Sequence, residues 1–381
     1  MPRDEYLFVR ENKKNITSVD IFAEILDIIG REYFKYKEPI TLPELQDFAS
    51  NGSNSNYHTF FIRKKNGKKR RIDAPNVRLA QIQNCIRILL AGFAYHGKSI
   101  VDHASLHIGK DIVYNMDIKD FFASITAIDI AKALIKYQRT HLKLSYDVAL
   151  LLAHLVTVRS KDGIPVLPQG SPSSPIIAEI VVKDLDTALS ECAKNYGCIY
   201  SRYVDDITFS GSKKSKWRMA AKEFCKIISN YGFALNKKKS RVSFYYQKQQ
   251  VTGLTVNQRL NVEKKYIKNL RTVIHNWEKD GYVRASNLFF LHYYQDTANF
   301  KKGIPTMEQV IAGKLSFLKM IRQNKSAKDD ISIVDIFGLE NDFESLKDSD
   351  QLSVDPLWEK LHQRYKALIE RDANIINAKI N

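Results

Sequence analysis

The stretch CIYSRYVDDITFSG (198–211) sets two adjacent aspartates, Asp205 and Asp206, between two runs of β-branched and aromatic residues. Such runs around a short polar interruption predict two strands joined by a tight turn. Two neighbouring carboxylates raise each other's pKa, so a turn that holds them either opens to water or binds a cation. Taken alone, an Asp-Asp turn is more often a solvated turn than a metal site.

A third carboxylate upstream favours the metal site. Asp117 lies near the end of the strand-like run IVYNMDI (112–118). A strand-end aspartate beside an acidic hairpin brings three carboxylates to one point. Three carboxylates suit two Mg²⁺ ions about 4 Å apart, which clamp the attacking and leaving oxygens of a phosphoryl transfer. The sequence therefore predicts a site at which a primer 3′-hydroxyl attacks a nucleoside triphosphate.

The overall charge favours a nucleic acid as partner. The 381 residues include 59 Lys and Arg against 42 Asp and Glu, a formal net charge of +17. Such an excess favours a polyanion because each phosphate contact releases counterions, although a basic surface alone does not prove one. The acidic segment, residues 326–356, is the exception, with nine acidic residues and two lysines. We expect it to face solvent or another protein.

Cysteine spacing and hydropathy bear on localisation. The four cysteines form no CxxC pair and have no ligand-spaced histidines, which predicts reduced thiols rather than disulfides or a zinc site. The first residues contain no apolar signal core, and no apolar run approaches the length of a membrane span. We therefore expect a cytoplasmic protein that makes no membrane contact.

Hydrophobic periodicity predicts helices and strands in mixed order. Apolar residues recur at helical spacing in 17–36, in two helices within 127–159, in one helix at about 176–190, and across 264–325. Residues 57–75 read as a β-hairpin that turns at a Lys-Asn-Gly sequence. This mixture predicts an α+β fold.

Four blocks, in this order along the chain, resemble the palm of reverse transcriptases. They are NMDIKDFF (115–122), LPQGSPSSP (167–175), YVDD (203–206) and LNKKKS (235–240). The order and spacing of the blocks make a chance match very unlikely, and the resemblance covers about residues 60–325.

Two further segments are most similar to bacterial retron reverse transcriptases. HASLHIGK (103–110) resembles the retron block N-A-x-x-H, with His103 in place of the asparagine. VTGL (251–254) resembles the retron VTG signature, and Val204 stands where retrons mostly carry alanine. These two departures leave the retron subtype undetermined and do not affect the resemblance to reverse transcriptases.

The resemblance implies a right-hand polymerase made of fingers, palm and thumb. The expected parts are an N-terminal helical extension (1–40), fingers (41–110), a palm (111–255) with inserted fingers helices at about 127–165, a thumb (256–325), and an acidic C-terminal extension with a last helix (326–381).

The resemblance also implies roles for the acidic residues. Asp117, Asp205 and Asp206 are expected to bind two Mg²⁺ ions, and the backbone carbonyl of Ile118 to add a metal contact. Lys239 resembles the lysine that protonates the departing pyrophosphate. A run of lysines such as the one around Lys239 is also typical of a solvated surface.

Further residues are expected to hold the nucleotide. Phe122 matches the aromatic gate that excludes a ribose 2′-hydroxyl. Lys69 and Arg71 lie where the fingers of the family contact the triphosphate, since a phosphate requires a cation. Gln169 and Gly170 look like the loop that supports template and nucleotide, where glycine permits close backbone approach. Each of these residues also has an ordinary explanation that does not need the resemblance. The aromatic residue can belong to the core, the two cations to a solvated basic hairpin, and the Gln-Gly pair to a proline-rich start of a helix.

Tyr203, His107, Thr252 and Gly253 complete the implied set as nucleic-acid contacts. A buried core histidine and a strand bulge explain His107 and the Thr-Gly pair equally well. The basic and aromatic stretch 264–325 fits a thumb that grips a duplex through its backbone.

The resemblance implies a function and leaves two alternatives open. We expect synthesis of a small RNA-linked DNA (msDNA) from dNTPs on a structured non-coding RNA that serves as template and primer. In retrons this DNA belongs to an anti-phage system with an effector protein. The alternatives are an abortive-infection type enzyme that makes DNA without a template, and a scaffold that mainly binds its nucleic acid and an effector through the acidic segment.

Overall fold

A computed structural model describes residues 15–50, 53–63, 67, 69–92, 99–138, 142–296, 305–322 and 355–377. Helices and strands occur in mixed order, which confirms the predicted α+β class. Most of the acidic segment, and Lys65 and Asn66 of the predicted fingers turn, lie outside the described residues.

The elements are numbered in chain order. The helices are α1 (Val19–Glu32), α2 (Leu42–Ser50), α3 (Val77–Leu89), α4 (Ile100–Ser105), α5 (Ala127–Lys136), α6 (Tyr146–Leu155), α7 (Ser174–Val181), α8 (Lys183–Asn195), α9 (Trp217–Asn230), α10 (Lys264–Asp296), α11 (Met307–Arg322), α12 (Pro356–Arg371) and α13 (Ala373–Asn377). The strands are β1 (Tyr57–Arg63), β2 (Lys69–Pro75), β3 (Ile112–Asp117), β4 (Val158–Arg159), β5 (Pro165–Val166), β6 (Cys198–Tyr203), β7 (Asp206–Gly211), β8 (Arg241–Phe244), β9 (Gln250–Val251) and β10 (Leu254–Thr255).

The described residues form two compact units. The first unit contains residues 15–92 and 114–242, and the second contains residues 99–113 and those described from 243 onward. The boundaries expected for the fingers, palm and thumb stay a prediction. Among the described helices, none combines the length and the apolar composition needed to cross a membrane.

Both predicted hairpins are confirmed. Strands β6 and β7 pair antiparallel up to Tyr203 and Asp206, which face each other beside the acidic turn. They belong to a four-stranded sheet of order β6-β7-β3-β8, in which the Thr208 hydroxyl donates to Asn115 Oδ1 at 3.0 Å. Strands β1 and β2 pair antiparallel along their whole length. The alternation of strand-forming residues thus predicted these pairings correctly.

The single helix predicted at about 176–190 is wrong, because the chain forms α7 and α8 there. The backbone of Val182 leaves the helical range between them, at φ −89° and ψ 10°. Buried apolar residues continue on both sides of the break, with Ile180 and Leu185 both in the core. Apolar spacing alone therefore gave no sign of the interruption.

The second unit is a helical core. Its long helix α10 is kinked at Gly281, whose φ of 73° lies outside the helical range. Trp277 of α10 is fully buried and donates from Nε1 to Asp372 at 2.7 Å, just beyond α12. Trp358 of α12 donates from Nε1 to the Leu315 carbonyl at 3.0 Å. Satisfying both indole N–H groups lets these large rings fill the core. Within the predicted helical stretch 264–325, α10 and α11 confirm the helices, whereas residues 297–304 and 323–325 lie outside the described residues. The predicted last helix is confirmed by α12.

Candidate active site

The acidic turn is tied to the end of strand β3. The Ile118 amide donates to the Asp205 carbonyl at 3.1 Å, and the Asn236 amide donates to the Asp117 carbonyl at 2.8 Å. Lys239 Nζ contacts Asp117 Oδ2 at 2.6 Å. The structure therefore brings Asp117, Asp205 and Lys239, which lie far apart in sequence, to one end of the sheet in the first unit.

The turn itself has an unusual backbone. Val204 has φ 57°, in the left-handed region, where an L-residue is less stable by about 1–2 kcal/mol and a β-branched residue is rare. This conformation reverses the chain so that Asp205 and Asp206 follow immediately at the tip.

Burial and like charge disfavour the ionised forms of both turn aspartates. Burial raises the pKa of Asp205, and the negative charge of Asp117 raises it further. Burial raises the pKa of Asp206 to about 6, with the charges of Asp205 and Asp117 adding to it. The Asp206 side chain nevertheless keeps an exposed outer surface, so water screens part of this effect. A site of this kind is stabilised by a bound cation.

The donor set fits magnesium. Asp117, Asp205 and Asp206 offer only hard carboxylate oxygens, which Mg²⁺ prefers, and their crowded negative charge favours a divalent cation. No three carboxylate, imidazole or thiol groups of the described chain are gathered closely enough to complete a metal site as they stand. Because Lys239 contacts Asp117 Oδ2, a metal there either displaces that ammonium or uses the other oxygen. Ile118 is buried at this strand end, and its carbonyl contact stays a prediction.

Phe122 lies beside the site-forming strand end, in a short 3₁₀ turn with Ala123 and Ser124. Its ring is only partly buried, whereas the neighbouring Phe121 is 3% exposed and packs on Phe233. Phe121 is therefore a core residue. The gate role of Phe122 stays a prediction.

The β1–β2 hairpin presents its basic residues on two faces. On one face Arg71 Nε contacts Asp73 Oδ1 at 2.9 Å, which occupies one edge of its guanidinium. Lys69 lies exposed at the start of β2, opposite Arg63. Arg70 points to the other face, as side chains alternate along a strand, and its positive charge lowers the pKa of Asp205. Sequence reasoning missed Arg70, although the period of two along β2 separates it from Lys69 and Arg71.

The LPQG loop packs against strand β2. The Asp73 amide donates to the Gln169 carbonyl at 2.9 Å. Gly170 has φ 138°, and a Cβ there would lie 2.8 Å from Ile72 Cγ2 and 2.9 Å from the Asp73 carbonyl oxygen. The close approach that requires glycine is therefore to the hairpin strand.

A buried polar network fixes the next residue of this loop. The Ser171 hydroxyl donates to Gln83 Oε1 at 2.7 Å, and Gln83 Nε2 donates to the Tyr57 hydroxyl at 2.7 Å. The LPQG loop is thereby fastened to both helix α3 and the start of β1.

Arg202 is a second functional candidate that sequence reasoning missed. Its side chain is 2% exposed and ion-paired with Glu179 at 2.8 Å and with Asp186 at 2.7 Å. Its Nη1 also donates to the Val204 carbonyl at 2.9 Å. The available signal was an arginine, the one charged residue of strand β6, next to the acidic turn.

The two segments that carry the retron resemblance meet in the second unit. Helix α4 packs on strands β9 and β10, with Val101 and Leu254 in the same core cluster. The Thr252 hydroxyl donates to the Ile100 carbonyl at 3.3 Å, and Gly253 has φ 83° in the turn. His107 is fully buried, and burial lowers its pKa to about 3, so the ring is neutral. Any effect of His107 on nucleic-acid binding therefore passes through packing, and that role stays a prediction.

The basic groove is a second charged surface, and it lies wholly in the second unit. It is lined by Arg259, Asn261, Lys264, Ile267, Lys268, Arg271, Thr272, Arg322 and Leu357. Lys264, Lys268 and Arg271 follow one face of α10 at helical spacing. Arg322, at the end of α11, contacts Asp355 at 2.8 Å and Asn261 at 3.1 Å. Asp355 also caps α12 by accepting from the Trp358 amide.

Comparison with known proteins shows a consistent set of relatives. Residues 62–270 match the family described as reverse transcriptase (RNA-dependent DNA polymerase). The chain is 33% identical over 252 residues to the retron Mx65 reverse transcriptase of Myxococcus xanthus, covering 60% of this chain and 58% of that protein. It is 31% identical over 188 residues to the retron Ec86 reverse transcriptase of Escherichia coli, covering 49% and 55%.

The matched regions are partial. The chain spans a little over half the length of these relatives. Among solved structures, the foamy viral protease-reverse transcriptase in complex with double-stranded DNA overlays with a TM-score of 0.40 and 14% identity, covering 82% of this chain and 43% of that one. That overlay is too weak to add to the assignment.

The family match covers more than half of the chain and includes all four palm blocks. The chain therefore belongs to the reverse transcriptase (RNA-dependent DNA polymerase) family.

Proposed function

We propose that this chain is a retron-type reverse transcriptase, which copies a structured non-coding RNA into a small DNA that stays linked to the RNA. The observation that carries the proposal is the meeting of Asp117, Asp205 and Lys239 at one end of the sheet, with Asp206 next to Asp205 and within reach of the other charges. Family membership adds the reaction class. The resemblance to retrons rests on the packed pair of segments around His107 and Thr252.

The residues of the site have distinct parts in the proposed reaction. Bound magnesium would activate the primer hydroxyl and steady the triphosphate. Asp117, Asp205 and Asp206 would hold that metal. Lys239, 2.6 Å from Asp117, carries a proton at Nζ that can pass to the departing pyrophosphate. Arg70 adds positive charge on the side from which the triphosphate would approach.

The remaining predicted contacts belong to the same proposal. Phe122 would exclude a ribose 2′-hydroxyl, and Lys69 and Arg71 would add charge at the triphosphate. Gln169 and Gly170 would support the template, since their loop is held in a fixed position against β2. Tyr203, at the end of β6, would meet the nucleic acid beside the turn.

The proposed partners are the RNA, its msDNA product, dNTPs and an effector protein encoded nearby. The names of the relatives support the retron assignment and say nothing of an effector. The effector part of the proposal rests on the charge of the acidic segment, which suits a protein surface better than a phosphate backbone.

Nucleic acid bound to the purified protein tests the retron proposal. The chain is expressed with its neighbouring genomic DNA, and the bound nucleic acid is extracted, treated with ribonuclease or a debranching enzyme, and separated on a denaturing gel. We expect a discrete short DNA whose mobility changes on either treatment and which is absent from an Asp205→Asn/Asp206→Asn variant. Heterogeneous DNA without an RNA branch would favour the untemplated enzyme, and bound RNA without DNA would favour the scaffold.

We further propose that the basic groove contacts the phosphate backbone of the bound nucleic acid. It gathers five cationic side chains, of which only Arg322 is ion-paired to a described carboxylate, that of Asp355. Lys268 and Arg271 are exposed on α10 and are not held by an ion pair within the described part of the chain. Exposed cations at such spacing suit a regular array of phosphates.

Reversing one groove charge is expected to weaken binding. Lys268→Glu should lower the affinity for an RNA–DNA duplex about tenfold at low salt and reduce the slope of log affinity against log salt by about 1, because one phosphate contact is lost. Fluorescence anisotropy across a salt series measures both quantities. Lys222→Glu, at an exposed position of helix α9, is the matched control with the same charge change. An equal loss in both variants would assign the effect to net charge and contradict a role of the groove.

A further inference from the structure

Arg202 uses every donor of its guanidinium. Nε donates to Asp186 Oδ1 at 2.8 Å, and Nη2 donates to Asp186 Oδ2 at 2.7 Å and to Glu179 Oε2 at 2.9 Å. Nη1 donates to Glu179 Oε1 at 2.8 Å and to the Val204 carbonyl at 2.9 Å. An arginine side chain has five N–H groups in a fixed plane, so its position is determined completely by these contacts.

The two carboxylates come from helices that follow the LPQG loop. Glu179 lies on α7 and Asp186 on α8, on either side of the break at Val182. Asp186 is itself held, since it accepts from the Tyr200 hydroxyl at 2.5 Å. The guanidinium also lies over the Phe121 ring, 5.9 Å from its centre. Four of the five N–H groups thus bind Arg202 to carboxylates of α7 and α8, and the fifth binds the acidic turn.

The fifth N–H group of Arg202 binds the carbonyl of a residue whose backbone is strained. Val204 has φ 57°, a conformation that a β-branched residue leaves unless the surroundings prevent it. Its carbonyl belongs to the same peptide unit as the Asp205 amide. A rotation of Val204 toward the common backbone region would therefore move Asp205 and the residue after it.

We infer that Arg202 is a positioning residue of the active site: it holds the Val204 carbonyl, keeps the turn left-handed, and so fixes Asp205 and Asp206, two of the proposed metal ligands, beside Asp117. The inference rests on the proposed function. It explains why a guanidinium is buried beside the turn, where a lysine, with three donors on one atom, could not bind two carboxylates edge-on and the carbonyl together.

A purely structural role is the competing explanation. A buried ion pair removed from one side leaves uncompensated charge and destabilises any fold. Arg78 provides the comparison within the same unit, because it binds both oxygens of Glu44, at 2.6 and 2.8 Å, and donates to the Pro39 carbonyl at 2.6 Å. Its contacts hold α2 and the segment before it rather than the acidic turn.

Direct metal binding separates the two explanations without relying on polymerase activity. Mn²⁺ serves as the probe, and electron paramagnetic resonance counts the free ion. Arg202→Met should weaken Mn²⁺ binding by about tenfold or more, the usual effect of losing a residue that orients metal ligands. Arg78→Met should lower the melting temperature and leave Mn²⁺ binding unchanged. The Mn²⁺ affinity of Arg202→Lys should lie between those of the wild-type protein and Arg202→Met.

A second substitution tests the route through Val204. Asparagine adopts the left-handed region readily, so Val204→Asn needs less help to keep the turn. In the Val204→Asn background, Arg202→Met should weaken Mn²⁺ binding by about threefold or less, since contacting residues are expected to be non-additive. Equal effects of Arg202→Met in both backgrounds would overturn the inference.

A variant that leaves no charge of the Arg202 cluster without its partner controls for misfolding. Arg202→Met combined with Glu179→Gln and Asp186→Asn removes the guanidinium and both carboxylates. The inference requires that this folded variant also binds Mn²⁺ weakly, and normal binding would overturn it. Wild-type protein that binds no more Mn²⁺ than Asp205→Asn would overturn it too. Absence of RNA-templated synthesis, with Mn²⁺ binding as expected, would contradict only the proposed function.

Discussion

Asp205→Asn should reduce DNA synthesis by roughly a thousandfold or more while the protein stays folded. The amide cannot replace a carboxylate that holds metal against the developing charge of a phosphoryl transfer, and losses on this scale follow removal of such groups. Stability should not fall, because burial and the charge of Asp117 disfavour ionised Asp205 in the folded protein. Since the raised pKa marks an unfavourable charge, neutralising it removes repulsion.

Two measurements check this expectation. Primer extension on an RNA template with dNTPs and Mg²⁺ gives the rate, and a thermal melt followed by circular dichroism gives the melting temperature. Asp162→Asn, in the exposed turn between β4 and β5, makes the same chemical change and should retain activity. Substantial synthesis by Asp205→Asn, or a melting temperature well below that of the wild-type protein, would show that the acidic turn has another role.

Gly170→Ala is expected to have the largest effect on folding. The added Cβ would lie 2.8 Å from Ile72 Cγ2 and 2.9 Å from the Asp73 carbonyl, closer than real Cβ contacts. The backbone at φ 138° is also one that only glycine adopts readily. We expect a loss of about 3 kcal/mol or more in the free energy of unfolding, the scale of overpacking added to backbone strain. Urea denaturation measures it.

Gly163→Ala separates the two causes. Gly163 also has a positive φ, 79°, but a Cβ there meets nothing within 4 Å. Gly163→Ala should lower the free energy of unfolding by only about 1 kcal/mol, the strain of an alanine in the left-handed region. If Gly170→Ala and Gly163→Ala lose the same amount, the contact between the LPQG loop and β2 does not constrain residue 170.

Local patterns were enough to predict much of the fold. The acidic hairpin, the β1–β2 hairpin and the helices of the second unit follow from residue alternation and apolar spacing, which are properties of a few neighbouring residues. Asp117 could be placed beside Asp205 because strand ends and the turns between strands lie together at the ends of a sheet. The break at Val182 was missed since buried residues occur on both sides of it.

The residues that were missed depend on partners distant in the sequence. Whether Arg70 or Arg71 faces the acidic turn depends on the register of β2 against β1, which composition does not determine. Arg202 could be recognised only when Glu179 and Asp186 were known to surround it. Gly170 was expected to approach a ligand closely, and its close neighbour is the strand β2.

The ion pair between Arg322 and Asp355 has a consequence for how a change spreads within the second unit. It joins the end of α11 directly to the residue that caps α12, so one salt bridge links the stability of two helix ends. The two side chains are only 5% and 9% exposed, and loss of either one would leave the other charge buried without its ion-pair partner. A substitution at one of these helix ends would therefore weaken the other end as well.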